Sequence, residues 1–115
     1  MSKSHAQPVI DIVANSLEAV RDAEPGKNKH HKLTVVVDVE VEVDWKVKLV
    51  EAHPQGTNPL VKLLRFEVVL PTGPHSNAIA QRTLRYSEAP PKADYTEVTI
   101  EDGKQSISKK VSLIV

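Results

Sequence analysis

The sequence predicts an α+β fold, with one N-terminal helix packed on an antiparallel, mostly meander β-sheet of about five strands. Three observations predict it. Apolar residues recur at helical spacing between residues 8 and 23, strict alternation runs from Leu33 to Leu49, and an Asp-Gly pair separates two apolar runs near the C-terminal end. At 115 residues the chain suits one domain over 1–115, with 1–7 disordered, the helix over 8–23 and the sheet over 33–115.

The helix rests on Val9, Val13, Leu17 and Val20, with Ile10, Ile12 and Ala14 widening the stripe. Asp11, Asn15, Glu18, Arg21 and Asp22 fall largely off it. Pro8 suits a first helical position, where its missing N–H is not needed, and Pro25-Gly26 ends the run.

After a polar loop containing His30 and His31, the period changes to two. Leu33, Val35, Val37, Val39, Val41, Val43, Trp45, Val47 and Leu49 share one parity; Thr34, Asp38, Glu40, Glu42, Asp44, Lys46 and Lys48 share the other. Such alternation means a strand with one buried and one wet face. Its length, well beyond the usual 5–6 residues, implies a bend or bulge, expected at Val36, the apolar residue on the wet face. A turn over His53–Pro59 leads to a second strand, Leu60–Leu70, in which Lys62 interrupts the apolar parity of Leu60, Leu64, Phe66, Val68 and Leu70. A third strand covers Ala78–Tyr86, and a loop with Pro90-Pro91 follows.

Registers follow from parity. Opposed residues share a face, so an odd position on the first strand meets an even one on the second. Loop length then favours Trp45 opposite Leu64 and Asp44 opposite Arg65, with Pro59 at the strand start. In the last hairpin, a type I′ turn at Asp102-Gly103 sets Glu101 against Lys104 and Val98 against Ile107.

Charge balances at 15 basic and 15 acidic residues, which disfavours a nucleic-acid partner. No apolar run is long enough for a membrane span, and Met1–His5 lacks the apolar core of a secretory signal, so the expected location is cytoplasmic. The absence of cysteine removes disulfides, thiolate nucleophiles and Cys-type zinc sites together.

The acidic row Asp38, Glu40, Glu42 and Asp44 is the most conspicuous chemical feature. Same-face neighbours on a strand lie about 6.5–7 Å apart, near the spacing of a carboxylate pair or of ligands to a hard cation. The row continues into Lys46 and Lys48 without a Gly-rich calcium loop, which reads as the solvated face of an amphipathic strand. His30 and His31 would point to opposite faces of a strand, and so read as loop histidines rather than as metal ligands with His5 or His53. Lys62, Arg65, Arg82 and Arg85 read as part of a mixed-charge sheet rather than a basic patch. No nucleophile elbow, P-loop, dinucleotide or zincin motif occurs, so neither catalysis nor a cofactor or metal is expected.

The segments Val39–Val43, Leu64–Val69 and Ser108–Leu113, following a helical N-terminal run, resemble the bacterial trypsin-co-occurring domains, type 2. That family joins a helix to strands of the form V-E-L-E-L, R-F-W-V-V and T-H-R-V-x-L-x-L. The resemblance covers about two thirds of the chain and departs at Phe66-Glu67 and from Thr72 to Ile100. It implies a non-catalytic association module beside a bacterial effector or protease system, with no catalytic residue to carry over.

The residues and the resemblance together lead to the expectation of an interaction or self-association module. The long strand would leave backbone groups unpaired over Lys32–Glu42, making a homodimer through Val35, Val37, Val39, Val41 and Trp45 the expected assembly. The alternatives are a small-ligand or metal-binding domain using the acidic face, or a subunit of a larger assembly.

Overall fold

A computed structural model describes residues 10–22, 31–74, 76–102 and 105–114. The architecture is a β-sandwich, with no helix among the described residues. In chain order the strands are β1 (Asp11–Ile12), β2 (Glu18–Asp22), β3 (Lys32–Glu42), β4 (Lys46–Glu51), β5 (Val61–Val69), β6 (Ile79–Glu88), β7 (Glu97–Glu101), β8 (Ser106–Lys110) and β9 (Ser112–Ile114).

β3 is the centre of the first sheet. All ten residues of β6 pair with it antiparallel, from Leu33↔Glu88 to Glu42↔Ile79. Its other edge takes β2 at residues 32–36 and β1 at residues 39–40, and β9 adds to β2 in parallel. The second sheet runs β4–β5–β7–β8, with β5 and β7 parallel. A mostly meander sheet is therefore replaced by two sheets, each with one parallel pair.

The expected helix is overturned because its spacing has another origin. Glu18 faces Val36 and Asp11 faces Glu40, so the N-terminal segment advances seven residues while β3 advances four. The three surplus residues form a bulge in which Asn15 has a φ of 62°, the left-handed region that Asn tolerates better than most side chains. Ser16 fills the gap in the ladder: its hydroxyl donates to the Asp38 carbonyl at 3.2 Å and accepts from the Asp38 N–H at 3.1 Å. An odd insertion shifts the buried parity, so Ile10 on one side and Leu17 and Ala19 on the other are all buried. Ile10 and Leu17 lie seven apart, two helical turns, so two short alternating runs out of phase imitate a helix. Val9 and the 1–7 segment lie outside the described residues. The helix was one of the elements supporting the family resemblance, and β1 and β2 stand in its place.

The long alternating stretch does break, at 43–45 rather than at Val36. There the chain crosses from the first sheet into the second, and Trp45 N–H donates to the Glu42 carbonyl at 3.0 Å. Odd residues point into the same core from both sheets: Leu33, Val35, Val37, Val39 and Val41 from β3, Val47 and Leu49 from β4. Leu64, Phe66, Leu84, Val98 and Ile100 complete the interior. On the opposite side the chain switches sheets again at Val111, between β8 and β9.

Opposed residues of β4 and β5 keep the expected parity, but the register is shifted. Lys48 faces Glu67, Glu51 faces Leu64, and Trp45 precedes the ladder, so Trp45 is not across from Leu64 nor Asp44 from Arg65. The ladder carries on past β4, with the Ala52 N–H on the Leu63 carbonyl, because the Gln55 side chain holds the loop shut. Its amide donates to the Ala52 and Leu63 carbonyls at 2.6 and 2.9 Å and accepts from the Leu63 N–H at 2.8 Å. The last hairpin also differs: Glu101 faces Ser106 and Ile100 faces Ile107, leaving four residues in the connection instead of two. Gly103 and Lys104 lie outside the described residues. Asp102 favours the longer turn, its carboxylate accepting from the Gln105 N–H at 3.1 Å.

Leu17→Ala tests the sandwich at the end of β2 nearest the bulge. Leu17 is 3% exposed, and its truncation should cost about 2–5 kcal/mol in urea denaturation. A helix-favouring Asn15→Ala should also destabilise, because alanine tolerates the left-handed backbone poorly.

Candidate functional site

The inward parity of three strands carries ionisable groups at one end of the sandwich. Glu51 continues the Val47, Leu49 series on β4; Lys62 precedes Leu64 and Phe66 on β5; Tyr86 and Glu88 follow Leu84 on β6. Tyr95, from the loop before β7, joins them at 6% exposure. Lys62 is 1% exposed, the largest of the fully buried side chains among the described residues.

Geometry compensates the burial. The Lys62 ammonium lies 2.6 Å from Glu51 Oε2 and 2.9 Å from Glu88 Oε1, and 5.7 and 5.4 Å from the ring centroids of Tyr86 and Tyr95. Glu88 accepts four hydrogen bonds. Oε1 takes Lys62 Nζ and the Tyr86 hydroxyl at 2.6 Å; Oε2 takes the Lys92 N–H at 2.7 Å and the Tyr95 hydroxyl at 2.9 Å. Lys92 Nζ approaches Glu51 from solvent at 3.4 Å.

These contacts set the protonation states. Burial, the largest influence on Lys62, opposes its charge, but its hydrogen bonds to Glu51 and Glu88 outweigh it and raise the ammonium above its ordinary value. Burial likewise pushes the Glu88 carboxyl up, while the bonds from Tyr86, Lys62, the Lys92 N–H and Tyr95 carry it down to about 2. The Lys62 hydrogen bond lowers Glu51. Burial and then the bond to Glu88 raise both Tyr86 and Tyr95. Every member thus keeps its ordinary charge at neutral pH, far from the matched pKa that proton transfer uses. The arrangement acts as a clamp joining β4 and β5 of one sheet to β6 of the other.

The opposite end is built differently. Arg82, inward on β6, donates to the Trp45 carbonyl at 2.8 Å and to the Val43 carbonyl, holding the crossover where it leaves the ladder. Asp44 accepts the Ser76 N–H at 2.6 Å, tying the crossover to the β5–β6 loop. A shallow hollow of about 260 Å³ opens here among Asp44, Lys46 and the 69–72 segment. Four apolar residues at this end stay exposed: Val43 38%, Val69 58%, Leu70 49% and Ile79 64%.

Of the residues expected at an interface, Val35, Val37, Val39 and Val41 lie in the core at 0–1% exposure, and Trp45 is half-buried against it. β3 is paired on both edges, which overturns association through a free Lys32–Glu42 edge. The acidic row lies on the outer face of β3 and its crossover, with Asp38 accepting the Thr83 hydroxyl at 2.7 Å. Among the described residues no group of three or more His, Asp or Glu is placed to hold a metal ion. His31 and His53 are exposed; His5 and His30 lie outside the described residues. The four basic residues are dispersed: Lys62 is buried, Arg82 binds carbonyls, and Arg65 and Arg85 are exposed on different sheets. Neither the clamp nor the apolar end was expected from sequence. Lys62 on an apolar parity was the signal for the clamp, once paired with Glu51 and Glu88 at the same end of their own series.

The clamp predicts an acid-sensitive stability. A folded-state pKa below the unfolded value of about 4.3 stabilises fully above that pH, and the contribution is lost as pH falls towards about 2. Glu88→Gln should lose on the order of 3 kcal/mol at pH 7 by urea denaturation, and the gap to wild type should close as the pH approaches 2.

No helix among the described residues is long and apolar enough to cross a membrane. No family model, no curated protein and no solved structure matches the chain.

Proposed function

We propose that this chain is a non-catalytic interaction module that self-associates as a homodimer through the end bearing Val43, Val69, Leu70 and Ile79. The observation that carries the reading is the contrast between the two ends of one sandwich. One end is closed by a satisfied ionic clamp, with Leu60, Leu113 and Ile114 as the exposed large apolar side chains toward it; the other carries four, on the crossover, on β5 and the residue after it, and on β6. Exposed apolar groups gathered in one place mark contact surfaces more often than scattered ones do.

A second copy suits this end. Asp44 and Lys46, both exposed, flank it with one charge of each sign, so a two-fold-related copy can set each against its opposite. The resemblance of Val39–Val43, Leu64–Val69 and Ser108–Leu113 to the trypsin-co-occurring domains supports the same kind of role, beside a bacterial effector or protease system.

Sedimentation equilibrium tests the proposal. Wild type should show a concentration-dependent dimer at up to hundreds of micromolar, a range suited to a small interface. Val69→Lys combined with Ile79→Asp should abolish rapidly reversible dimerisation with the urea midpoint little changed, since both sites are exposed. A wild type without a rapidly reversible dimer throughout that range, or a double variant that keeps one, would overturn the homodimer.

A further inference from the structure

The C-terminal strand is held unlike any other long segment of the sandwich. β8 and β9 run for nine positions with the switch at Val111, and none of their side chains is buried. Only Ile107 and Val111 reach half-burial against the core; Leu113 and Ile114 remain 51% and 45% exposed. The neighbours beneath are different: Val98 and Ile100 of β7 are fully buried and Thr99 is 8% exposed. Retention therefore comes mainly from backbone pairing. β8 lies antiparallel to β7 over five residues, β9 parallel to β2 over three, and Val111 N–H reaches the Thr96 carbonyl at 2.9 Å. A side-chain hydrogen bond also spans β7 and β8, between the Thr99 and Ser108 hydroxyls at 2.7 Å.

Backbone pairing of this kind does not specify which copy supplies the strand. Side chains that lock into a core do, and here two half-buried aliphatics are all that enter. From this combination we infer that Ser106–Ile114 is an exchangeable strand, and that the edges of β7 and β2 form an acceptor site for the same segment of a second copy. Every ladder bond, the Ile107 and Val111 contacts and the hydroxyl pair are re-formed in the exchanged state. Strand addition to an open edge is a common mode of protein recognition, and swapping an identical element is a low-cost route to a dimer. This route uses none of Val43, Val69, Leu70 or Ile79, so it stands or falls separately from the apolar-end dimer.

The absence of native cysteine allows a direct test. Thr99 and Ser108 are register partners, so Thr99→Cys with Ser108→Cys can close a disulfide within one copy or, after exchange, between two. Protein held reduced at high concentration and then oxidised should give a disulfide-linked dimer on a non-reducing gel. Protein oxidised first at low concentration and then concentrated should give none. The apolar-end contact produces no such covalent link, and adding Val69→Lys and Ile79→Asp should leave its yield unchanged. Wild type supplies the second measurement by hydrogen exchange. Amides of 106–114 should open locally, on the order of 100-fold less protected than those of β3. Native mass spectrometry of mixed isotopically heavy and light Val69→Lys, Ile79→Asp protein, incubated together at high concentration, should show a slowly forming heavy–light dimer. Only intramolecular disulfide under all conditions, or protection of 106–114 equal to that of β3, would overturn the inference. Should the cysteine variant fail to fold, absence of the heavy–light dimer in the Val69→Lys, Ile79→Asp protein would do the same.

Discussion

Everything else in the molecule depends on the pairing of β3. Ten residues of β6 on one edge and β1 and β2 on the other leave it no open side, while Leu33, Val35, Val37, Val39 and Val41 supply the centre of the core. The same parity continues through the crossover into β4, which faces the interior from the opposite sheet. A single alternating stretch thereby builds both layers. Folding it back across the core, rather than adding it to one sheet, gives each of its apolar residues an opposing surface to meet.

The two ends of the sandwich solve the same problem by different chemistry. Where β4, β5 and β6 meet the loop before β7, charges enter the interior and are paired until each lone pair of Glu88 has a donor. Such an arrangement adds little net stability over an apolar filling, but leaving any one partner out is costly. It therefore fixes how the two sheets align at that end. At the other end Arg82 satisfies the backbone carbonyls of the crossover, and the apolar side chains around it face outward. One end is specified internally; the other leaves Val43, Val69, Leu70 and Ile79 exposed.

Faces were legible in the sequence; sheets and registers were not. The inward positions of β3, β4, β5 and β7 follow from alternation, because the period of a strand is set by its pleat and needs no partner. The assignment of strands to sheets depends on which edges meet across the core, and parity is silent about that. The Asn15 bulge shows how local pattern misleads: an odd insertion between two short strands creates the seven-residue spacing of a helix. Loop length also guided register poorly, favouring Asp44 opposite Arg65 where the ladder sets Lys48 against Glu67, and cross-strand charge pairs, each worth only about 0.2–1 kcal/mol, could not decide it. The Gln55 side chain, buttressing a long loop from within, settled the β4–β5 ladder instead. For the clamp, Lys62 was visible as an exception on an apolar face, but its partners lie on two other strands and acquire meaning only when the sheets close.

The parallel pairing of β2 with β9 has a consequence for the chain as it is made. Val20 and Ser112 are partners 92 positions apart. At about 5–20 residues per second, the edge of β2 waits roughly 5–20 s after its own synthesis before its neighbour exists. During that interval β3 and its valines are already present but the first sheet has an open margin, the situation in which strands join the wrong neighbour. On the ribosome, then, the parallel neighbour of β2 is the last of the described strands to emerge.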